Sequence, residues 1–378
     1  MPARIGATTR WAARGQFFCS GFIFATWGVH IPTLKAHYGI DEAQLGLVML
    51  AAGVGALLGL ARASRWIGRY GVRQTSAVCG SVYALLLTGL VAMPGYAALL
   101  GLLLLFGIAT SVFDVAINAE AARLELLGAQ PLMSGMHGMF SLGGMAGALT
   151  GGAALAAGLS PSWHLMLVAG AMMVAILVAA RGMLPPAAPV DADTGFRLPR
   201  GALVVLGVLA ALGLIAEGAI YDWSVLYLQQ ELGSPQQQAA LAYASFSASM
   251  AAARFSGDAL RARFAPARLL QASAALAAAA MTLVLWTDLP WLALVGLAGV
   301  GAGFANVVPV LFAAAARVPG VDPTRGIAAV AAAAYLGFMA GPPVIGFVAR
   351  ASSLTTALGI VVVFALALAA SAAHVKLR

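Results

Sequence analysis

The sequence predicts an all-α membrane protein of twelve transmembrane helices, built as two six-helix pseudo-repeats. Three observations predict it. Of 378 residues, 62% are hydrophobic and only 9% are charged; the apolar residues gather into a dozen long runs; and the second half of the chain echoes the first at one constant offset. A soluble chain carries charge on about a quarter of its residues, so 21 basic and 13 acidic residues are too few to cover a surface of this size. The mean hydropathy of +0.93 agrees. The same scarcity of charge excludes a disordered chain and a coiled coil. One bilayer crossing with a short loop takes roughly 30 residues, which gives about 12 to 13 crossings and leaves no room for a separate soluble domain.

Windows of bilayer length place the first six runs near 12–34, 44–61, 74–93, 96–122, 134–157 and 163–183. The run after Arg14 continues to Pro32, longer than the apolar core of a cleaved signal, and reads as the first span. Six more runs lie near 201–230, 236–257, 266–286, 290–316, 324–349 and 354–374. A transmembrane β-barrel would show short alternating segments, whereas these runs are continuous and rich in Ala, Leu and Gly. Between the two sets, residues 184–200 form a polar, proline-rich linker with Pro185, Pro186, Pro189, Asp191, Asp193 and Pro199. The domain organisation is therefore a first half over 1–183, a linker over 184–200, and a second half over 201–378.

Basic residues orient the spans, because Lys and Arg concentrate in cytoplasmic loops. With both termini and the linker inside, nineteen of the 21 fall on the cytoplasmic side, Arg254 among them, and only Lys35 and Arg350 fall outside. The expected location is the inner (plasma) membrane. The net charge of +8 does not point to nucleic acid, since the cations sit in short clusters between apolar runs and not along one face. Cys19 and Cys79 both lie within apolar runs and read as small buried residues.

A shift of 194 residues aligns Arg69 with Arg263, Gly107 with Gly301, Arg123 with Arg317, and Leu142-Gly143 with Leu336-Gly337. It also aligns Met145-Ala146-Gly147 with Met339-Ala340-Gly341, so one register holds over about 80 residues without a gap. The halves read as parallel repeats.

The six-plus-six plan with a basic loop after the second span of each half resembles the major facilitator superfamily, over nearly the whole chain. That family's loop signature, Gly-x-x-x-Asp-Arg-x-Gly-Arg-Arg, is met here by Arg69, Gly71 and Arg73, with Ser64 and Gly68 standing where the family has Gly and Asp. The second-half stretch holds Arg254, Asp258, Arg261 and Arg263. The resemblance implies that Arg69, Arg73, Arg254, Asp258 and Arg263 act in cytoplasmic gating; the alternative is that these arginines only set topology. On span 5, Gly143-x-x-x-Gly147-Ala148-x-x-Gly151-Gly152 is similar to an antiporter pattern of the family, with Ala148 in place of proline. Close helix packing explains the same glycines. Phe18 to Pro32, Asp114-x-x-x-Asn118, Met136-His137-Gly138, Glu217 to Trp223 and Gly337 to Gly346 resemble the MosC-like subgroup, membrane proteins associated with rhizopine metabolism.

Ionisable groups at bilayer depth are costly and normally face a partner or a water-filled path. Asp114 and Asn118, four apart on span 4, share one helical face. Glu217 sits in the middle of span 7, followed by Tyr221, Asp222 and Trp223; Trp27 and His30 lie in the outer part of span 1, and Asn306 lies on span 10. The resemblance implies that spans 1, 4, 7 and 10 line a central path. A carboxyl group in low dielectric readily takes up and releases a proton, which makes Asp114 and Glu217 the expected proton-coupling residues, or else structural partners between helices. Trp27, His30, Asn118, Tyr221, Asp222, Trp223, Asn306 and Tyr335 are the expected substrate contacts, with Asp222 alternatively in outside water. His137, at the cytoplasmic start of span 5, is expected in gating or in substrate contact, and Glu120 is expected to pair with Arg123 or another arginine.

The five histidines show no metal-ligand spacing, and nucleophile or nucleotide motifs are absent, so no enzyme, no cofactor and no ATP-driven step is expected. The expected function is a monomeric secondary transporter that alternates access for a small polar solute, driven by protons, with export by antiport favoured on the span 5 glycines. An uncoupled uniporter and a non-transporting sensor on the same scaffold stay open.

Overall fold

The computed structural model describes residues 6–128, 132–185 and 200–372; for Asp258, Pro323 and Thr324 it describes the backbone alone. Most of the linker, 186–199, thus lies outside the described residues. Everything in between is helix and short connection, as lipid demands of any span that is not a closed barrel. The chain forms two compact units, residues 1–39 with 51–193 and residues 40–50 with 194–378.

The first half contains α1 (Ala7–Val29), α2 (Ile31–Tyr38), α3 (Glu42–Tyr70), α4 (Val72–Leu86), α5 (Tyr96–Gly128), α6 (Met133–Ala156) and α7 (Pro161–Arg181). The second contains α8 (Ala202–Gln230), α9 (Gln236–Arg263), α10 (Pro266–Trp286), α11 (Pro290–Phe304), α12 (Val307–Ala315), α13 (Pro323–Ala351) and α14 (Leu354–Ser371). Two expected spans prove to be broken. Span 1 bends by 42° between α1 and α2 at His30, because Pro32 has no N–H to give and its ring clashes with the carbonyl one turn back. Span 10 parts into α11 and α12 at Ala305-Asn306, where Pro309 withholds its hydrogen bond in the same way. Counting α1–α2 and α11–α12 as one span each gives twelve.

Among the described residues, nine helical segments are long and apolar enough to cross a membrane, and the bent α1–α2 pair makes ten. The remaining two spans are α4, only 15 residues before a short 3-10 turn, and α9, which carries Gln236 to Gln238, several serines and Arg254. Large apolar side chains such as Leu105, Val174, Val208 and Val363 are exposed, as expected where lipid replaces water.

The repeat seen in the sequence reappears in the packing. In the first half α1 lies on α6 and α7, and α4 on α5 and α7; in the second α8 lies on α13 and α14, and α10 on α11 and α14. The register is kept to the residue. Gly107 of α5 meets the backbone carbonyl of Ala52 on α3, and Gly301 of α11 meets the carbonyl of Phe246 on α9, so both partners are 194 apart. Gly143 of α6 seats against the Phe18 carbonyl of α1 in the same manner. These contacts put backbones closer than any Cβ would permit, the means by which helices associate when lipid removes the hydrophobic drive.

Carboxylates outside the spans' centres tie ends together. Glu125 accepts from the Leu132 and Met133 amides and so caps α6 at 2.8 and 3.0 Å. Glu231 accepts from the Leu354 amide at 2.8 Å and holds the start of α14. Glu120, expected against an arginine, lies within electrostatic reach of Arg123 and also accepts from the Leu184 amide at 2.7 Å, while Arg123 donates to the Pro185 carbonyl at 2.7 Å. Both bonds fasten α5 to the segment after α7.

Gly107→Ala and Gly301→Ala should each lower the melting temperature in detergent, with a cost of about 1–3 kcal/mol for overpacking. Gly101→Ala, on the same helix as Gly107 but with open space around the added carbon, should be neutral or mildly stabilising. Circular dichroism melts decide; equal behaviour of Gly101→Ala and Gly107→Ala would contradict the packing role.

Candidate functional site

Within the first unit, Asp114 and Asn118 project from α5 one turn apart and are half-buried. The Asn118 Nδ2 donates to Asp114 Oδ1 at 3.1 Å and to the Asp114 carbonyl at 2.9 Å. This is the i, i+4 pairing that the spacing promises. Among the described residues no cation stands against the Asp114 carboxyl. Tyr83 of α4, fully buried, lies within electrostatic reach of it and stacks on Phe106 at 4.7 Å and Phe113 at 6.4 Å. Trp27 of α1 closes this aromatic row against Phe106 at 6.1 Å. Trp27 is expected at a substrate surface, yet it is 3% exposed and packs as part of that row.

His30 occupies the break between α1 and α2 and is 1% exposed. Its Nε2 is 2.8 Å from Nδ1 of His164 on α7, and its Nδ1 is 3.3 Å from the Thr33 hydroxyl. Both ring nitrogens are thus engaged with the protein. One imidazole must donate and the other accept, since a neutral ring carries a single N–H. His164 Nε2 is buried without a partner among the described residues. His137, on the second turn of α6, presents its ring edge-on to Phe17 at 5.4 Å.

Within the second unit, Glu217 of α8 and Arg254 of α9 form an ion pair, Oε1 to guanidinium nitrogen at 2.9 Å, with side chains 13% and 14% exposed. Arg254 therefore belongs to the interior of a span and not to a cytoplasmic loop. The topological tally of cations falls by one. Tyr221, one turn beyond Glu217, donates its hydroxyl to Met250 Sδ at 3.4 Å and packs against Tyr243 at 5.1 Å and edge-on to Phe246 at 4.9 Å. Asp222 is buried at 6% exposure, so the reading that sets it in outside water is corrected. Trp223 is fully buried, and Asn306, buried at the α11–α12 break, precedes α12 and accepts from the Val310 amide at 3.1 Å.

Among the described side chains, the remaining expected residues stand apart from these two clusters. Tyr335 is on α13 and 40% exposed. Arg69 stands in the last turn of α3 and lies over the Tyr70 ring at 5.3 Å, Arg73 stands in the first turn of α4, and Arg263 is the last residue of α9. Asp258 falls in α9, and its side chain lies outside the described residues. Tyr83, His164 and the pairing of Arg254 were missed by sequence reasoning. His164 is 134 residues from His30, and no local spacing marks that pair.

A model described as Major Facilitator Superfamily matches residues 15–322. The chain is 33% identical to an uncharacterised MFS-type transporter of Yersinia pestis, over 97% of this chain and 96% of that one. It is also 33% identical to the membrane protein MosC of Rhizobium meliloti, over 91% of this chain and 84% of that one. Among solved structures it is similar to a D-xylose–proton symporter, at a TM-score of 0.76 and 14% identity over 98% and 99% of the two chains. A variant of the nucleoside transporter NupG gives a TM-score of 0.75 and 15% identity over 97% and 100%.

Breaking one side of the α8–α9 ion pair strands the other charge. Glu217→Gln should cost roughly 3–5 kcal/mol of stability, read as a large fall in melting temperature. Glu217→Met with Arg254→Met together should recover most of it. Two single losses that simply add in the double variant would show that the pair is not coupled.

Proposed function

The chain belongs to the major facilitator superfamily, and on that premise we propose that it couples the movement of a small polar solute across the inner membrane to protons, with Asp114 as the proton carrier. Secondary transport is the family's activity; the coupling, the solute and the residue are our reading. The observation that carries it is the Asp114–Asn118 pair, a carboxyl in a transmembrane helix whose hydrogen-bond partner is a neutral amide. Such a group gains and loses a proton without stranding a neighbouring charge, and the amide serves either form. Glu217 differs, because Arg254 stays charged at any working pH and protonating Glu217 would remove the ion pair between them. We assign the Glu217–Arg254 pair to holding the polar part of the solute, since a guanidinium has five N–H donors and one carboxylate does not use them all. Asn118 and Tyr221 are proposed beside these two groups.

A hydroxyl-rich solute suits such donors and acceptors, and the names of the solved neighbours, a xylose–proton symporter and a nucleoside transporter, support the same class. The span 5 glycines seat α6 on α1, so they carry no preference for export over import. The excess of arginine at one end of the spans supports cytoplasmic termini, and Arg69, Arg73, Arg263, Asp258 and His137 at that end are proposed in gating.

A thermal-shift screen of sugars, cyclitols, nucleosides and amino acids identifies the solute. In proteoliposomes loaded with it, an imposed pH gradient should drive accumulation by the wild type. Asp114→Asn should abolish that accumulation while exchange of labelled for unlabelled solute persists. Flux indifferent to the gradient in the wild type would mean uniport, and gradient-driven accumulation intact in Asp114→Asn would remove Asp114 from the coupling.

A further inference from the structure

The first unit carries a cleft of which this reading uses Arg73 alone. It lies between the start of α4 and the end of α7, with a volume of about 390 Å³. Two arginines stand in it, Arg73 from the first turn of α4 and Arg181 from the last turn of α7, with Gln74 and the Tyr70 ring beside them. Its apolar lining is Ala77, Leu177 and Ala180. Among the described residues no acid lines it and neither guanidinium has a carboxylate partner. Two cations over an apolar floor is an unbalanced arrangement for a surface that meets lipid.

The surface beyond the cleft supplies the other half of the argument. From Ala77, α4 continues with Val78, Val82 and Leu85 exposed, and from Leu177 back along α7 Val174 is exposed as well. The two helices pack together, so two apolar ridges run from the basic cleft along the spans. A charged head meeting two fatty strips is the outline of a phospholipid. Both arginines belong to the end that the basic asymmetry assigns to the cytoplasm, where anionic lipid and basic pockets between helices meet.

We propose that this cleft binds an anionic phospholipid, its phosphate diester held by Arg73 and Arg181 and its acyl chains laid along α4 and α7. The charge complementarity selects an anionic headgroup over a zwitterionic one, whose own ammonium would sit against two guanidinium groups. The inference rests on the membrane reading of the chain and not on proton coupling or on any solute, so its test stands apart from the transport assay.

The test uses the full chain purified in a neutral detergent, with native mass spectrometry and thermal shift as readouts. Phosphatidylglycerol should stay bound and raise the melting temperature, and phosphatidylcholine should do neither. Arg73→Gln with Arg181→Gln should weaken phosphatidylglycerol binding on the order of tenfold or more, whereas Arg73→Lys with Arg181→Lys should largely keep it. If the double glutamine variant fails to fold, Arg181→Gln alone serves, with a smaller expected loss. Equal retention of both lipids, unchanged phosphatidylglycerol binding in the glutamine variants, or an equal shift from inorganic phosphate alone would overturn the proposal.

Discussion

Backbone against backbone, at Gly107 over Ala52 and Gly301 over Phe246, is the contact on which the rest of this protein depends. In lipid a leucine gains little by leaving the solvent, so helices associate by close fit, and close fit requires that something small stand where they cross. The glycines at such crossings are therefore structural first. Where an added carbon would meet a carbonyl, as at Gly143 over Phe18, the position admits no other residue without moving a helix. That the crossing partners recur 194 residues apart says that one six-helix packing solution is used twice.

Once helices are that close, the interior has little room and little water for charge, and each polar group has to find its answer inside the protein. The answers differ in kind. Glu120, Glu125 and Glu231 accept from backbone amides at helix ends and segment joints. Glu217 takes a full counter-charge from Arg254. Asp114 takes only an amide, and His30 takes another imidazole. Groups met by amides at helix ends hold the architecture, because nothing they do requires them to let go. Asp114, met by a neutral amide, would change its charge state without unpairing another charge.

The twelve spans and their halves were legible because hydropathy and arginine placement are long-range averages that no single residue can spoil. The repeat was legible because the packing glycines must recur wherever the crossings do. Asp114 and Asn118 were legible as a pair because a helix puts i and i+4 side by side. What the sequence did not reveal lies between helices. Arg254 reads as one more cytoplasmic arginine until α9 is seen to continue nine residues past it to Arg263. His164 reads as a stray histidine until α7 sets it against His30. Even the breaks at His30 and Asn306 depend on Pro32 and Pro309, whereas Pro342 and Pro343 sit inside α13 without ending it, so proline alone does not say which span will part.

The difference between Asp114 and Glu217 bears on how two carboxyls on equivalent-looking spans come to do different work. Both are acids well inside long apolar helices, and composition cannot separate them. The neighbour can. An arginine at 2.9 Å makes neutralising Glu217 a loss of the whole pair's attraction, so the carboxylate and guanidinium keep their charges together. An asparagine at 3.1 Å makes neutralising Asp114 a matter of one hydrogen bond that the amide can keep, since its N–H still finds an acceptor on the protonated acid. Under the proposed coupling, the pair that holds its charge would serve the solute and the carboxyl that gives its charge up would serve the proton.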